Sequence, residues 1–373
     1  MIDIRWEESS SYWIANSSSQ KLEFNSKIAA FDLDHTLIKP LGDRVFSKNM
    51  LDWRLYNKKV KEKIKKLHDE QYLILIVSNQ KNLNADQKGS QDFKAKIQLL
   101  SSELETPFII FVSLKDDMYR KPRIQFWKEF IRGDLKNSFY CGDAGGLTAR
   151  RINKKFIPKD FSDSDLKFAL NIGIPFLHRD EFVFDLQYKP DKYVIKYPFS
   201  FSQIKIGNDD TQFLGNHPEV LILVGFPGSG KTHFAKNIIK SGFGYINADT
   251  MGTIANCLSA FEEKLKDGCS VIVDNTNLTV EIRKRYIDIA KTFGFKIRCL
   301  FFNTPFEICR HNNILRNYLS NNKISIIPKI AYYKFKKILV EPTLDEGFYK
   351  IEEHNFKLDE KVVRKIDYFQ YME

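Results

Sequence analysis

The sequence contains few cysteines, and those present form no ligand or disulfide pattern. They are spread along the chain without a CxxC pair or a Cys/His cluster, at Cys141, Cys257, Cys269, Cys299 and Cys309. This spacing argues against a disulfide framework and against a structural zinc site. We therefore expect reduced and mostly buried thiols.

Long apolar runs are also missing. No stretch approaches the roughly 20 apolar residues that are needed to cross a bilayer. The amino terminus lacks the basic segment and the apolar segment of a secretory signal. We expect a soluble, intracellular protein with no membrane partner; the sequence does not separate nucleus from cytoplasm, and a nuclear location would suit a eukaryotic source.

The size and charge of the chain suggest two domains and a polyanionic partner. A chain of 373 residues exceeds the usual limit of one hydrophobic core. The net charge of +11 favours a partner such as nucleic acid, because lysine and arginine neutralise phosphates and release counterions. Charge alone is weak support, since many basic proteins bind no nucleic acid.

Two βαβ rhythms, separated by a loop-prone segment, predict an α/β protein with two domains. From Lys27 apolar runs alternate with helical stretches, which indicates a parallel sheet covered by helices on both faces. The pattern lapses between about Asp185 and Asn216 and resumes at VLILVG. We predict a lead-in at 1–26, a first domain at 27–190, a linker at 191–216 and a second domain at 217–373. In the lead-in, Trp6, Tyr12 and Trp13 are candidates for packing onto the first domain.

The first candidate site begins at the string AAFDLDHTLI. Asp32 and Asp34 directly follow an apolar strand, and Thr36 lies in the next turn. Ligands of parallel sheets bind beyond the carboxyl ends of the strands, so both carboxylates should face a crevice. One carboxylate can attack phosphorus, while the other protonates the leaving alcohol and later activates water. Two acids that merely cap a strand are the alternative.

Further polar residues occur where later strands of the first domain end. Ser78 and Asn79 end LILIVSNQ, Lys121 lies in MYRKP, and Asp143 closes FYCGD. These residues supply a hydroxyl and an amide for phosphoryl oxygens, a cation to neutralise them, and a distal acid for a metal ion. Their order along the chain is the order expected if successive strands contribute to one site.

At these residues the first half resembles the haloacid dehalogenase superfamily of phosphatases. The resemblance implies that Asp32 is the nucleophile, Asp34 the general acid and base, Ser78 a phosphate ligand and Lys121 the neutralising cation. It further implies that Mg²⁺ is held by Asp32, Asp143 and the main-chain carbonyl of Asp34. His35 departs from the family, where glycine is common, and we interpret it as a tolerated substitution rather than a catalytic histidine.

The second candidate site is a phosphate-binding loop. A strand, the pattern GxxxxGKT and a helix follow one another in VLILVGFPGSGKTHFAKNII. Main-chain amides of such a loop surround nucleotide phosphates, the lysine reaches the β and γ phosphates, and the threonine binds magnesium. The predicted ATP-binding residues are Gly225, Phe226, Pro227, Gly228, Ser229, Gly230, Lys231 and Thr232, with Thr232 also a metal ligand.

Candidates for the phosphoryl acceptor chemistry lie downstream of this loop. Asp249 ends a short strand, where an acid can accept the proton of an attacking hydroxyl, although a surface aspartate would look the same. Asp274 ends the strand of SVIVDN, the usual position of an acid that orients magnesium-bound water. Arg310 and Arg316 lie on a predicted helix and are candidates for clamping the transferred phosphoryl, or for solvated helix residues.

Taken together, the two halves resemble the animal-type polynucleotide kinase 3′-phosphatases over roughly residues 5–371. The strings that carry the resemblance are FDLDHTLI, VSNQ, YRKP, CGDAGG and DFSDSDLKFALNIGIPF in the first half, and VGFPGSGKT, INADTMG, VDNTN, RHNN and EPTLDEGF in the second.

The resemblance implies 3′-phosphate removal at Asp32 and ATP-dependent phosphorylation of 5′-hydroxyls with Asp249 as base. The implied substrates are DNA strand-break ends (nicks, gaps and termini), with DNA favoured and RNA ends left open. Asp160 and Asp165 match further acids of the family. We expect a monomer.

Two departures from the family affect these expectations. The animal enzymes carry a forkhead-associated domain that recruits them to scaffold proteins, and we expect that route to be absent here. Ile314 stands where arginine often follows the RHNN string, which leaves the choice between Arg310 and Arg316 open.

Two other functions fit parts of the sequence. One is a fused phosphatase and kinase for small molecules such as sugars or nucleosides, which both motif sets allow. The other is a non-catalytic nucleic-acid-binding scaffold, which would require two complete sets of catalytic residues to be kept although they catalyse no reaction.

Overall fold

The computed structural model describes residues 4–17, 27–81, 83, 86–131, 133–152, 154–196, 204–207, 218–321, 323–359, 361 and 368–373. The chain divides into two compact units, Met1–Pro198 with Gln370–Glu373, and Phe199–Phe369. The predicted linker, 191–216, and the predicted lead-in, 1–26, lie partly outside the described residues, so the predicted domain boundaries stay a prediction.

The first unit is an alternation of strands and helices. Its strands are β1 (Arg5–Glu8), β2 (Tyr12–Asn16), β3 (Lys27–Phe31), β4 (Ile38–Lys39), β5 (Arg54–Leu55), β6 (Tyr72–Asn79), β7 (Ile109–Ser113), β8 (Phe139–Gly142), β9 (Arg150–Ile152), β10 (Lys155–Ile157) and β11 (Phe176–His178). Its helices are α1 (Lys59–Asp69), α2 (Gln87–Leu104), α3 (Gln125–Phe130), α4 (Ser164–Ile172) and α5 (Arg179–Phe184).

The main sheet of the first unit has the strand order β1-β2-β7-β6-β3-β8-β11. From β7 to β11 neighbouring strands are parallel, whereas β1 and β2 form an antiparallel hairpin that adds to β7. In this hairpin Trp13 is buried in the core, and the rings of Trp6 and Trp13 meet edge to face. Part of the predicted lead-in therefore belongs to the sheet.

Helices cover both faces of this sheet around its central strands β3, β6, β7 and β8, which are apolar at most positions. On β3, Ala29 and Phe31 face one core together with α1, α2 and α5, while Ile28 and Ala30 face a second core with α3 and α4. Side chains alternate between the faces of a strand, so one run of apolar residues serves both cores. The polar positions are thereby left to the strand ends.

The second unit repeats this plan with a different strand order. Its strands are β12 (Lys205–Ile206), β13 (Glu219–Val224), β14 (Gly244–Ile246), β15 (Val271–Val273), β16 (Lys296–Phe302), β17 (Lys350–His354) and β18 (Lys357–Leu358). Its helices are α6 (Lys231–Ile239), α7 (Ala248–Met251), α8 (Ile254–Lys266), α9 (Val280–Thr292), α10 (Phe306–Leu319) and α11 (Lys329–Ile338).

The main sheet of the second unit, in the order β14-β15-β13-β16-β17, is parallel throughout. Val220 and Ile222 of β13 pack against α8 and α9, whereas Leu221 and Leu223 pack against α6. The prediction of two α/β units with helix-covered parallel sheets is confirmed. Among the described residues no helix has both the length and the apolar character needed to cross a membrane.

Candidate active sites

The structure brings the predicted residues of the first unit to one end of its sheet. Asp32 follows β3, Ser78 and Asn79 end β6, and Asp143 follows β8. These strands are adjacent and parallel, so their carboxyl ends lie side by side. The order of the strands explains why residues far apart in sequence converge.

Lys121 lies at the centre of this group and is buried. Its Nζ is 2.7 Å from Oδ1 of Asp32 and 2.8 Å from Oδ1 of Asp165, and it donates to the hydroxyl of Tyr140 at 2.6 Å. Burial opposes the charge of Lys121, but the carboxylates of Asp165 and Asp32 hold its pKa above the usual value. The ammonium therefore stays charged, as a group that neutralises phosphoryl oxygens must.

Asp32 and Asp143 are held close together despite their like charges. The hydroxyl of Thr36 lies 3.2 Å from Oδ2 of Asp32 and 3.5 Å from Oδ1 of Asp143. Burial raises the pKa of Asp32 against the opposing charge of Lys121, and burial together with the charge of Asp32 raises the pKa of Asp143. A cation between the two carboxylates would relieve this repulsion.

The donor set fits a divalent metal ion. Ligand atoms of Asp32, Asp143 and Asp165 all lie within 4.8 Å of one another. Asp165 is already engaged, because its Oδ1 accepts from Lys121 and its Oδ2 accepts from the amide of Ala144 at 3.0 Å. Asp32 also accepts from Lys121 and from Thr36, but it shares the Thr36 hydroxyl with Asp143, which makes these two carboxylates the candidates to hold the ion. Oxygen ligands of this kind suit Mg²⁺.

Asp34 lies at the edge of the same group and is contacted by a residue that the sequence analysis did not assign. Nε2 of Gln80 donates to Oδ2 of Asp34 at 2.5 Å and lies 2.9 Å from the hydroxyl of Ser78. One amide group therefore orients both the proposed acid and the proposed phosphate ligand. Asn79 instead holds the segment that bears Lys121, since it exchanges two hydrogen bonds with the main chain of Lys121.

Asp160 stabilises the loop that follows Asp143. Its Oδ2 accepts from the amides of Gly145 and Leu147, and its Oδ1 accepts from Arg150 at 2.8 Å. The imidazole of His178, which is fully buried, lies 3.2 Å from the main-chain oxygen of Asp143 and 3.3 Å from Oδ2 of Asp160. Asp160 thus supports the site without entering it.

In the second unit the predicted phosphate-binding loop links β13 to α6. Gly228 has φ of 78° and packs so tightly against α10 that an added Cβ would lie 2.3 Å from the oxygen of Cys309. Nζ of Lys231 is buried and donates to the main-chain oxygens of Gly225 and Phe226 at 2.8 and 2.7 Å. Burial lowers the pKa of Lys231 to about 8, with Asp274 opposing the shift. Thr232 is exposed at the start of α6.

Asp274 follows β15, the strand next to β13, and is almost completely buried. Its Oδ2 accepts from the hydroxyl of Tyr245 at 2.8 Å, and Asn247 donates to its main-chain oxygen at 2.6 Å. These contacts fix the carboxylate near the phosphate-binding loop, where its charge acts on Lys231.

The prediction that Asp249 ends a strand is wrong: β14 ends at Ile246, and Asp249 is exposed on the short helix α7. Asn247 caps this helix by accepting from the amide of Thr250, and Asn275 accepts from the amide of Ala248 at 2.7 Å. The position of Asp249 is thus set by two asparagines at the ends of neighbouring strands, while its carboxylate faces solvent.

The two predicted arginines of α10 occupy different environments. Arg316 lies one turn after Asn312, whose side chain donates to the main-chain oxygen of Gly228 in the phosphate-binding loop. Nη2 of Arg316 donates to Oδ1 of Asn313 at 3.1 Å. The charge of Arg316 also contributes to the lowered pKa of Lys231. Arg310 is buried and its guanidinium lies 5.8 Å from the ring of Phe306. The geometry places Arg316 on the face of α10 that meets the loop.

Several residues of these sites were missed by sequence reasoning: Gln80, Tyr140, Arg179, Asn247 and Asn275. Three of them adjoin residues that were predicted, in VSNQ, INAD and VDN, so their positions at strand ends were a usable signal. Tyr140 lies inside a strand and Arg179 opens a helix, and no local pattern marks either one.

Comparisons with known proteins match the two parts of the chain to separate family models. A family model described as "Polynucleotide kinase 3 phosphatase" matches residues 27–183, and one described as "AAA domain" matches residues 247–327. The chain is 36% identical over 363 residues to the bifunctional polynucleotide phosphatase/kinase of Schizosaccharomyces pombe, across 95% of this chain and 86% of that protein.

Shorter similarities involve proteins named as phosphatases alone. A polynucleotide 3′-phosphatase of Saccharomyces cerevisiae is 26% identical over 43% of this chain and 88% of its own length. A polynucleotide 3′-phosphatase of Arabidopsis thaliana is 33% identical over 43% of this chain and 24% of its own length. With the match over nearly the whole chain, these findings show that the chain belongs to the family of bifunctional polynucleotide phosphatase/kinases.

Proposed function

We propose that the chain repairs the ends of broken nucleic-acid strands, removing 3′-phosphates in its first unit and phosphorylating 5′-hydroxyls in its second. DNA ends at nicks, gaps and termini are the proposed substrates, with ATP as phosphoryl donor. The observation that carries the proposal is the similarity over 95% of the chain to a protein named for both activities. In each unit, polar residues suited to the proposed reaction also lie at the carboxyl ends of parallel strands.

In the phosphatase reaction, the Asp32 carboxylate attacks the phosphorus of the 3′-phosphate and the bond to the 3′-oxygen breaks. Asp34 gives its proton to the leaving 3′-oxygen, and Gln80 holds its carboxylate in place. Asp34 then takes a proton from water, which attacks phosphorus and releases inorganic phosphate and free Asp32. Lys121 and Ser78 bind phosphoryl oxygens throughout.

We assign Mg²⁺ to Asp32, Asp143 and the main-chain carbonyl of Asp34 in this unit. When bound, the ion offsets negative charge on the phosphate and on the two carboxylates. Asp165 and Tyr140 keep Lys121 beside Asp32, so that cationic charge is provided by the protein itself.

In the kinase reaction, Asp249 takes the proton of the 5′-hydroxyl, whose oxygen attacks the γ-phosphorus of ATP as ADP leaves. The exposure of Asp249 suits a base that must reach a large substrate. The amides of residues 225–232 surround the phosphates, and Lys231 exchanges its contacts with loop carbonyls for contacts with phosphate oxygens. Thr232 and Asp274 are the proposed groups for the magnesium of the nucleotide, and Arg316 or Arg310 clamps the transferred phosphoryl.

Exposed aromatic side chains beside the phosphatase site favour a polymer over a small molecule. Phe46 and Phe161 are 72% and 98% exposed. Phe46 follows Val45, whose main-chain oxygen lies 2.7 Å from the ring of His35, and Phe161 follows Asp160, which holds the loop after Asp143. Exposed rings stack on bases, and the net charge of +11 favours the phosphodiester backbone.

The experiment that tests the proposal compares polymeric with monomeric substrates. A gapped duplex with 3′-phosphate and 5′-hydroxyl ends is assayed beside nucleoside 3′-monophosphates, free nucleosides and sugar phosphates, with ATP and Mg²⁺. We expect kcat/KM to be at least about 100-fold higher on the duplex, because several contacts are lost with a monomer. Activity confined to monomers would instead support the small-molecule alternative, and binding without turnover would support the scaffold alternative. Matched RNA ends measure the preference for DNA.

A further inference from the structure

His35 adopts a backbone conformation that residues with a side chain seldom take. Its φ is 60°, in the left-handed region, where Cβ crowds the neighbouring carbonyl oxygen. The residue lies between Asp34 and Thr36, inside the catalytic loop. Rotation about φ of His35 changes the angle between the peptide planes on its two sides. The conformation of His35 therefore sets the direction of the Asp34 carbonyl, one of the proposed metal ligands.

Three hydrogen bonds hold His35 in this conformation. Its main-chain amide donates to the oxygen of Ile38 at 2.7 Å. Nη1 of Arg179 donates to the main-chain oxygen of His35 at 2.6 Å. Nε2 of the His35 ring lies 2.7 Å from the main-chain oxygen of Val45, and because that oxygen only accepts, Nε2 is the protonated nitrogen. The loop is thus fixed on one side by a guanidinium and on the other by its own ring.

Arg179 is itself held rigidly. It is the first residue of α5 and is 8% exposed. Its Nε donates to Oδ1 of Asp180 at 3.1 Å, and its guanidinium carbon lies 4.3 Å from the centre of the Tyr56 ring. A planar cation clamped between a carboxylate and an aromatic face has little freedom, so its donors point in fixed directions.

The same guanidinium also approaches Asp143. Nη1 of Arg179 lies 3.8 Å from Oδ2 of Asp143, an electrostatic contact that is too long to occupy the oxygen as a hydrogen bond. One cation thus touches the loop that orients the Asp34 carbonyl and attracts the Asp143 carboxylate. Both of these groups are proposed ligands of a single metal ion.

We infer that Arg179 is a positioning residue of the phosphatase, which holds His35 through its carbonyl oxygen, and with it the direction of the neighbouring Asp34 carbonyl, and which holds the Asp143 carboxylate in place for a divalent metal. The inference rests on the proposed phosphatase activity and extends it to α5. It also explains how a histidine is accommodated in the catalytic loop: the hydrogen bond from Arg179 stabilises a backbone conformation that glycine would take unaided.

The test combines Arg179→Gln with His35→Gly. We expect Arg179→Gln to raise both the Mg²⁺ concentration for half-maximal 3′-phosphate removal and the dissociation constant for Mn²⁺ roughly tenfold, the usual scale for a partner of metal ligands. Mn²⁺ binding is followed by electron paramagnetic resonance on the nucleotide-free chain, so that it does not depend on turnover. Adding His35→Gly should recover most of the loss, because glycine takes positive φ without the hydrogen bond.

Control variants separate positioning from general damage. Arg151→Gln removes an exposed arginine of the same unit and should leave Mn²⁺ binding unchanged. Arg179→Lys keeps the charge without the paired donors and should show an intermediate loss, and it replaces Arg179→Gln if that variant does not fold. The kinase activity on 5′-hydroxyl ends reports on the rest of the chain and should stay at the wild-type level.

Two results would overturn the inference: wild-type metal affinity in Arg179→Gln and Arg179→Lys, or a loss that His35→Gly leaves unchanged. Both differ from failure of the proposed function, in which the wild-type chain itself would not release 3′-phosphate.

Discussion

Nζ of Lys121 lies 2.7 Å from Oδ1 of Asp32, so the proposed nucleophile and the proposed neutralising cation form a buried ion pair. A buried ion pair at the end of a sheet is costly unless further hydrogen bonds satisfy both partners. Here Thr36 contacts Asp32, while Asp165 and Tyr140 contact Lys121. The pair is therefore part of a network that positions charge around the reacting phosphate.

Replacing Lys121 by methionine tests the role of this cation. We expect the rate of 3′-phosphate removal to fall by at least about 100-fold, or roughly 3 kcal/mol of transition-state stabilisation, because the developing charge loses its partner. Steady-state release of inorganic phosphate from a 3′-phosphorylated duplex measures the change. Lys136→Met, which alters an exposed lysine of the same unit, is the matched control. A Lys121→Met rate within threefold of the wild-type rate would contradict the assignment.

Asp165 and Tyr140 should contribute unequally to the placement of Lys121. Asp165→Asn removes the second carboxylate of Lys121 and should slow turnover roughly 10- to 100-fold, whereas Tyr140→Phe removes a neutral hydrogen bond and should slow it less than about 10-fold. KM should change little in either variant, since neither side chain is proposed to touch the substrate. A larger effect of Tyr140→Phe would show that the hydroxyl, rather than the carboxylate, orients the ammonium.

In the second unit, the two arginines that are candidates for clamping the transferred phosphoryl have different surroundings. Arg316 lies on the same face of α10 as Asn312 and Asn313. Asn312 contacts the phosphate-binding loop, and Asn313 adjoins it. Arg310 instead packs near Phe306. We expect Arg316→Gln to slow phosphoryl transfer to a 5′-hydroxyl end by at least about 100-fold, the scale of an arginine that stabilises the transferred phosphoryl. Arg310→Gln, the matched comparison, should act mainly on thermal stability. The reverse ranking in single-turnover assays would exclude Arg316 as the clamp.

His311 should make the stability of the second unit depend on pH. Its imidazole is buried, with Nε2 2.8 Å from the oxygen of Tyr368, and burial lowers its pKa from 6.5 to about 4. Between about pH 4 and pH 6.5, His311 is therefore protonated in the unfolded chain and neutral in the folded chain. Stability is therefore full above pH 6.5 and is lost as the pH falls toward 4.

Between about pH 7.5 and pH 5 this loss should amount to about 2 kcal/mol. Hydrogen exchange of the α10 amides reports it as faster opening at the lower pH. In His311→Gln the amide group can keep the bond to Tyr368 but does not titrate, so this part of the pH dependence should disappear. Equal pH dependence in the two proteins would show that His311 does not carry the effect.

The elements that the sequence predicted well are those in which the local residue pattern agrees with the position of the element in the fold. Apolar runs such as LILIVSNQ predicted strands, and the residues that ended them had to face the crevice of a parallel sheet. The phosphate-binding loop was predicted because its glycines, lysine and flanking elements follow one another along the chain. By contrast, the β1–β2 hairpin was not predicted, because its short strands alternate with serine-rich and acidic residues.

The residues that sequence reasoning missed act through contacts between distant segments. Tyr140 lies on β8 and meets Lys121, which follows β7 on the other side of β6 and β3 in the sheet order, and Arg179 reaches His35 across 144 positions. Such contacts depend on the order of the strands in the sheet and on the orientation of the first turn of α5. The local sequence pattern predicts neither. His35 shows the same limit: its residue type looked like a tolerated substitution, whereas its conformation depends on a partner from another helix.

The most direct test of two separate activities on one chain uses a nicked duplex with a 3′-phosphate and a 5′-hydroxyl, assayed with ATP and Mg²⁺. Asp32→Asn should abolish release of the 3′-phosphate and leave phosphorylation of the 5′-hydroxyl unchanged, whereas Lys231→Ala should do the opposite. Release of phosphate and transfer of labelled γ-phosphate are followed in the same reaction. Loss of both activities from either substitution would contradict the account.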